Sequence, residues 1–207
     1  MALLGRKGKN LALKKPTKEF GKTSINPTLL IPGELLRFSR YSKDEPFFGR
    51  SGANRFDDYR KRKPFGTCYF GLTLNVAFAE TVLHDEMPVR GGFDIAVQEL
   101  ENRYVVSFTG QPLRLLDLTG PTLKRLGIDP SLSTIIPYDL TQQWSVAVHQ
   151  HKDQYDGFMY MSRHMNTEKA IVLFDRAEPK IKAVSYDPLP DYPGALQAAM
   201  NFKLRFK

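Results

Sequence analysis

The chain has a single cysteine, Cys68, among its 207 residues. This excludes an intramolecular disulfide and any cluster of thiolates around zinc, and it fits a reducing compartment. Long apolar runs are missing too: nothing approaches the roughly eighteen residues that a membrane-spanning helix needs. The start, MALLGRKGKNLALKKPTKEFGK, lacks the continuous apolar stretch of a secretory signal, so a cytoplasmic protein with no membrane partner is expected. No G-x-G-x-x-G run occurs, which argues against a Rossmann oxidoreductase. Internal repeats and low-complexity blocks are absent as well. Acidic residues are outnumbered, 22 against 30 Lys and Arg, leaving a net charge of +8. Such a balance attracts anions, whether nucleic acid, nucleotide phosphates or an acidic protein, and does not choose among them.

What is present suits one soluble domain: 42% hydrophobic and 25% charged residues in a length that can bury one sizeable core. Residues 1–24 hold seven Lys or Arg and one acid, with Gly and Pro among them, and are expected as a flexible basic arm ahead of a domain over 25–207. The segment 34–41 alternates as a first strand and carries Arg37, which either faces solvent or lines a pocket. A Gly-containing loop, 47–55, ends at Arg55, and the basic cluster 60–63 reads as a surface insertion. Residues 66–71 form a predicted strand, with Cys68 as a small core residue, and 74–84 a predicted helix. On that helix Glu80 sits among apolar and small residues. It either faces solvent between two apolar stripes or points into a cleft.

Further strands are expected over 93–100, 102–109, 112–118, 156–164 and 169–175, and helices over 120–126, 138–149 and 195–202. The pair His149-x-His151, with Asp153 as the nearby acid, is too few ligands for zinc, and no metal site is expected.

Taken in order, Arg37, Gly52-Ala-Asn-Arg55, Cys68-Tyr69-Phe-Gly-Leu-Thr, Ala77-Phe-Ala-Glu80 with His84 beyond it, Asp156-Gly-Phe-Met-Tyr-Met-Ser162 and Ala170-Ile-Val-Leu-Phe resemble the RES domain family, over about Leu35 to Asp175. That family is named for its Arg, Glu and Ser. Two local departures stand out: Ala53-Asn-Arg55-Phe-Asp replaces the family's Gly-Gly-Arg-Trp-Asn, and Tyr-Met-Ser-Arg replaces its commoner Tyr-Pro-Ser.

The resemblance implies an α+β fold similar to the ADP-ribosyltransferases, with two twisted, mostly antiparallel sheets around an NAD cleft and flanking helices. It implies a toxin enzyme that breaks the nicotinamide–ribose bond of NAD, with inorganic phosphate or water as acceptor, held in check by an Xre-type antitoxin. It also assigns roles. Glu80 would meet the oxocarbenium-like ribose, Arg37 and Arg55 would hold phosphates, Tyr69 would stack on nicotinamide, and Ser162 would hydrogen-bond the substrate. From its spacing alone, one turn beyond Glu80 on the predicted helix, His84 would orient that carboxylate and bind with it, or serve structure alone. Two other outcomes stay open: transfer of ADP-ribose to a protein, and a non-catalytic basic module for an acidic partner or nucleic acid.

Overall fold

The structure, a computed structural model, describes residues 12–207. In chain order the elements are β1 (Thr28–Leu30), β2 (Leu36–Ser39), β3 (Thr67–Gly71), α1 (Leu74–Ala77), β4 (Phe93–Ile95), α2 (Gln98–Glu101), β5 (Tyr104–Gly110), β6 (Leu113–Asp117), α3 (Gly120–Arg125), α4 (Asp139–His149), β7 (Gly157–Met161), β8 (Lys169–Phe174), β9 (Ile181–Pro188), α5 (Ala195–Asn201) and β10 (Leu204–Phe206). The fold is mixed α+β. Among these residues no helix is long and apolar enough to cross a membrane.

In place of two separate sheets, eight strands form one, in the order β1-β6-β7-β8-β3-β2-β5-β9, antiparallel except for β6 beside β7. A small parallel pair, β10 with β4, stands apart. The large sheet is nearly divided: β3 and β2 share a single register pair, Gly71 with Leu36.

Alternation along the central strands explains the core. On β8, Ala170, Val172 and Phe174 face one cluster with Phe158, Trp144 and Phe56, while Ile171 and Leu173 face the other with Cys68, Phe70 and Met159. Both faces of these strands are therefore covered, which is why they read as continuous apolar runs. Burial pushes the Cys68 thiol up to about 12, as expected of a core residue and not of a nucleophile. A third cluster, with Phe38, Phe78, Val82, Leu83 and Ala198, lies under the helix that carries Glu80.

Several expectations are corrected. Of the segment expected as a flexible arm, residues 1–11 lie outside the described residues. Residues 12–24 are packed: Leu13 and Phe20 are buried, Phe20 meets Trp144 edge-on at 5.1 Å, and Trp144 Nε1 donates to the Lys14 carbonyl. Two apolar side chains at suitable spacing outweigh the basic character of that stretch. The first strand is β1, not the segment carrying Arg37. The strand expected over 93–100 ends at Ile95, because its partner β10 offers three residues and Gln-Glu-Leu-Glu then turns helical. Strand β9 was not foreseen. It is an edge strand whose Lys, Asp and Pro weaken the apolar alternation and also protect an edge.

Candidate functional site

The junction between β3 and α1 sets the site. Gly71 closes the strand so tightly that a β-carbon there would stand 2.9 Å from the Ala77 nitrogen, a contact with backbone that cannot yield. Thr73 then caps the helix, its Oγ1 accepting from the Val76 amide at 3.2 Å. The same hydroxyl donates to Glu168, which fastens the helix start to the loop before β8. Past Ala77 the helix widens into a π turn, Phe78–Val82, closed by the Leu83 amide donating to the Phe78 carbonyl at 3.0 Å. Such turns often mark functional sites. Phe78, Ala79 and Val82 face the core, and Glu80 and Thr81 are left half-buried along a cleft.

That cleft has a volume of about 500 Å³ and lies where β2 and β3 diverge. Arg37, Arg55, Tyr69, Glu80 and His84 all line it, together with Arg163, Tyr138, Tyr160 and His164, which were not singled out from sequence. Of the two readings open for Glu80, the cleft-facing one holds, and the same is true of Arg37.

Arg37 spans the divergence. Its Nη1 donates to the Tyr69 carbonyl at 3.0 Å and its Nε to Glu45 Oε2 at 2.8 Å, so a strand-edge acceptor facing the gap is satisfied by a side chain. Burial works against its charge, but Glu45 and the other negative surroundings more than offset this, and the guanidinium pKa is raised. Arg55 is held differently. Its Nη1 donates to the Ile135 carbonyl at 2.7 Å, and its guanidinium lies over the Tyr138 ring, 4.6 Å from the centroid. Burial lowers its pKa, with Arg163 adding to the effect, though an arginine remains charged.

The loop that presents Arg55 is built around Asp57. One oxygen, Oδ2, accepts from Ser51 Oγ, the Gly52 and Asn54 amides and Asn54 Nδ2, while Oδ1 accepts from Thr67 Oγ1 at 2.6 Å and from the Tyr69 hydroxyl at 3.3 Å. From the other side, α4 supplies Gln142 to the Gly52 and Asn54 carbonyls, Thr141 to the Arg55 carbonyl and Ser145 to the Phe56 carbonyl. This explains three buried polar residues on an otherwise apolar helix face. Phe56, where the resembling family has Trp, is fully buried and meets Phe158 and Tyr160 edge-on. The Tyr69 hydroxyl is thus tied to the loop, and its aromatic body remains on the cleft wall. The basic cluster 60–63 is a surface loop, with Arg60 spent on a two-point bond to Asp58.

Ser162 lies where sequence reasoning did not put it. It does not line the cleft but sits buried behind Glu80, only 1% exposed, and its Oγ donates to Glu80 Oε1 at 2.6 Å. The same oxygen accepts from the His164 and Met165 amides, at 3.2 and 2.9 Å. With that much of its bonding capacity used, it acts on the carboxylate and not directly on a bound molecule. His84 is corrected in turn. It makes no hydrogen bond to Glu80; it is exposed at the rim, with Nε2 3.8 Å from Asp85 Oδ1 and its ring 5.0 Å from that of His164. Ser162 therefore orients Glu80.

Tyr160 completes the wall, its phenol held well above its usual pKa by burial and then by the Glu80 charge. Nearby, burial lowers the His164 imidazole pKa against the pull of Glu80. The discounted pair does not converge: His149 stacks on Phe65 at 4.1 Å, while His151 is buried against Phe20 and Tyr155.

The signals that could have found the missing residues are weak. Asp57 is one acid in a polar loop, and His164 and Arg163 follow Ser162 in an unpatterned turn. Only the fold brings them to the cleft.

The RES domain profile matches residues 34–194 of the chain. A curated relative named probable toxin y4kH, from Sinorhizobium fredii (strain NBRC 101917 / NGR234), is 36% identical over 104 residues, which is 50% of this chain and 81% of that protein. Among solved structures, a chain of the M. tuberculosis MbcT–MbcA toxin–antitoxin complex is similar with a TM-score of 0.56 and 12% identity, covering 84% of this chain and 91% of that one. At that identity the likeness is one of fold.

Proposed function

Because the chain belongs to the RES domain family, matched over residues 34–194, we infer that it is a toxin enzyme that consumes NAD by breaking the bond between nicotinamide and ribose. The observation that carries this reading is the convergence of Arg37, Arg55, Tyr69 and Glu80 on one cleft of about 500 Å³, with the Glu80 carboxylate held from behind by Ser162. The volume suits a nucleotide-sized ligand. Arginines on the walls suit its pyrophosphate through charge-assisted bonds. Tyr69 offers a face for the nicotinamide ring.

The chemistry follows from what leaves. As the C1′–N bond of the nicotinamide ribose breaks, its electron pair goes to the pyridinium nitrogen and nicotinamide departs neutral, so no proton has to be supplied to it. Positive charge then builds on the ribose, and a fixed carboxylate stabilises it more than mobile water does. Ser162 contributes by fixing Glu80 before the charge appears. Water or inorganic phosphate then bonds to C1′, giving ADP-ribose and a proton, or ADP-ribose phosphorylated at that carbon. The ADP-ribosyltransferase-like character of the fold, cytoplasmic action and control by an antitoxin of the Xre type belong to the same proposal; the relative named as a toxin and the neighbour in a toxin–antitoxin complex support control by an antitoxin.

The test is product analysis. Purified protein incubated with NAD, with and without phosphate, is expected to release nicotinamide, and adenylate-labelled NAD is expected to leave its label on a small molecule. Label on protein would point to ADP-ribosyl transfer. Unchanged NAD in both buffers would leave the basic binding module.

A further inference from the structure

At the cleft rim Glu80, His84 and His164 each offer one ligand atom, and these atoms lie within 4.8 Å of one another. Two imidazoles and a carboxylate are the donor set of many sites for zinc and its neighbours. A second observation points the same way. His164 Nε2 is buried and has no hydrogen-bond partner among the described residues, an arrangement that costs stability unless something meets that atom. On Glu80, Ser162 bonds to Oε1 alone, and Oε2 has no hydrogen-bond partner among the described residues. The Ser162 hydroxyl thereby becomes the outer support of a candidate ligand, as such carboxylates usually have.

We propose that His84, His164 and Glu80 bind one divalent ion of the zinc type, and that the bound ion closes the site to NAD. Ligands on a tetrahedral zinc stand about 2.0–2.2 Å from the metal, so the three groups have to draw together by roughly 1 Å. His84, exposed at the rim just past the π turn, is free to make that movement. Asp85 adds negative charge beside His84, and Arg163 in the same cleft opposes it, so binding weaker than at a structural site is expected.

The ion inhibits because it takes up the charge of Glu80. A carboxylate neutralised by zinc no longer favours a cationic ribose, and the ion stands where that ribose has to lie. This second half rests on the function proposed above; the binding half does not.

The experiment separates them. Untagged full-length protein, free of NAD, is titrated with Zn²⁺ alone against a chromophoric zinc indicator, and with Co²⁺ alone while the visible spectrum is recorded. The expected result is one equivalent of Zn²⁺, tetrahedral-type Co²⁺ absorbance, and at least about tenfold weaker binding in His84→Ala and His164→Ala. His149→Asn, elsewhere in the fold, should bind as the wild type does. His84 is exposed, so its variant folds irrespective of how His164→Ala behaves. No stoichiometric binding, or binding unchanged in His84→Ala, overturns the metal site. In a nicotinamide-release assay, the Zn²⁺ concentration that halves the rate should rise at least about tenfold in His84→Ala, and a chelator should restore the wild type. A tight Zn²⁺ complex that still turns over NAD at the metal-free rate would overturn the inhibition. Metal-free protein that releases no nicotinamide would instead refute the proposed function, while the titration still decides the site.

Discussion

Ser162→Ala separates the two roles that its hydroxyl can have. In the structure this oxygen is buried behind Glu80, donates to Glu80 Oε1 at 2.6 Å and accepts two backbone amides. A hydrogen bond to a charged group contributes about 1.5–3 kcal/mol. If about 2 kcal/mol of that is lost where the ribose becomes cationic, kcat falls roughly thirtyfold. KM should move by no more than about twofold, because the hydroxyl does not reach the cleft. The amides of His164 and Met165 lose their acceptor too, so unfolding in urea should show a loss of about 1–3 kcal/mol. The assay is steady-state nicotinamide release, with kcat and KM resolved separately, for wild type, Ser162→Ala, Glu80→Gln and the double variant. If Ser162 acts only through Glu80, the double variant should be no slower than Glu80→Gln. An unchanged kcat with KM raised thirtyfold would refute the reasoning and put the serine on the substrate.

Other consequences are as specific. Asp57→Asn removes the charge and turns one of two acceptor oxygens, which together take six hydrogen bonds, into a donor; it should cost about 2–3 kcal/mol in urea unfolding, with KM for NAD up about tenfold as the Arg55 loop loosens; unaltered KM would mean that Arg55 does not bind substrate. Gly71→Ala drives a β-carbon to within 2.9 Å of the Ala77 nitrogen, and a loss of about 1–3 kcal/mol together with slower turnover is expected. Burial, and then the Arg176 charge, lower the His149 pKa to about 4. The unfolded chain therefore takes up a proton near pH 6.5 that the folded one refuses until about 4, so this contribution is intact above about pH 6.5 and fades as pH falls toward 4. After allowance for partial exposure it amounts to about 1–2 kcal/mol, and the wild type should lose that much more stability than His149→Asn between pH 7 and 4.5.

The strand-to-helix unit around Glu80 was legible in the sequence because its signals are local: β-formers closed by Gly71, then apolar spacing. The central strands were legible as well, since both of their faces are buried. Harder to see was the packing of residues 12–24, where Leu13 and Phe20 are two apolar side chains in a basic stretch. Arg37, Arg55, Tyr69 and Glu80 could be named from their order, and their shared cleft follows from the fold. Ser162, read as a substrate contact, proves to be the group that orients Glu80, and His84 does not, because sequence order does not tell a side chain facing a cleft from one behind its wall. Asp57 and the polar residues of α4 could not be found. Their meaning lies in bonds to a loop some 85–90 residues away in sequence, such as Gln142 to Gly52 and Thr141 to Arg55.

The claim at the centre is that the half-buried carboxylate of Glu80 is what makes this cleft an NAD-cleaving site. The direct measurement is the nicotinamide-release rate of wild type against Glu80→Gln, which keeps the shape and removes the charge, at equal protein and saturating NAD. The account expects clear release by the wild type and a fall of at least about a hundredfold in the variant, equivalent to about 2.7 kcal/mol. Equal rates in the two proteins, or no release by a folded wild type, would contradict it.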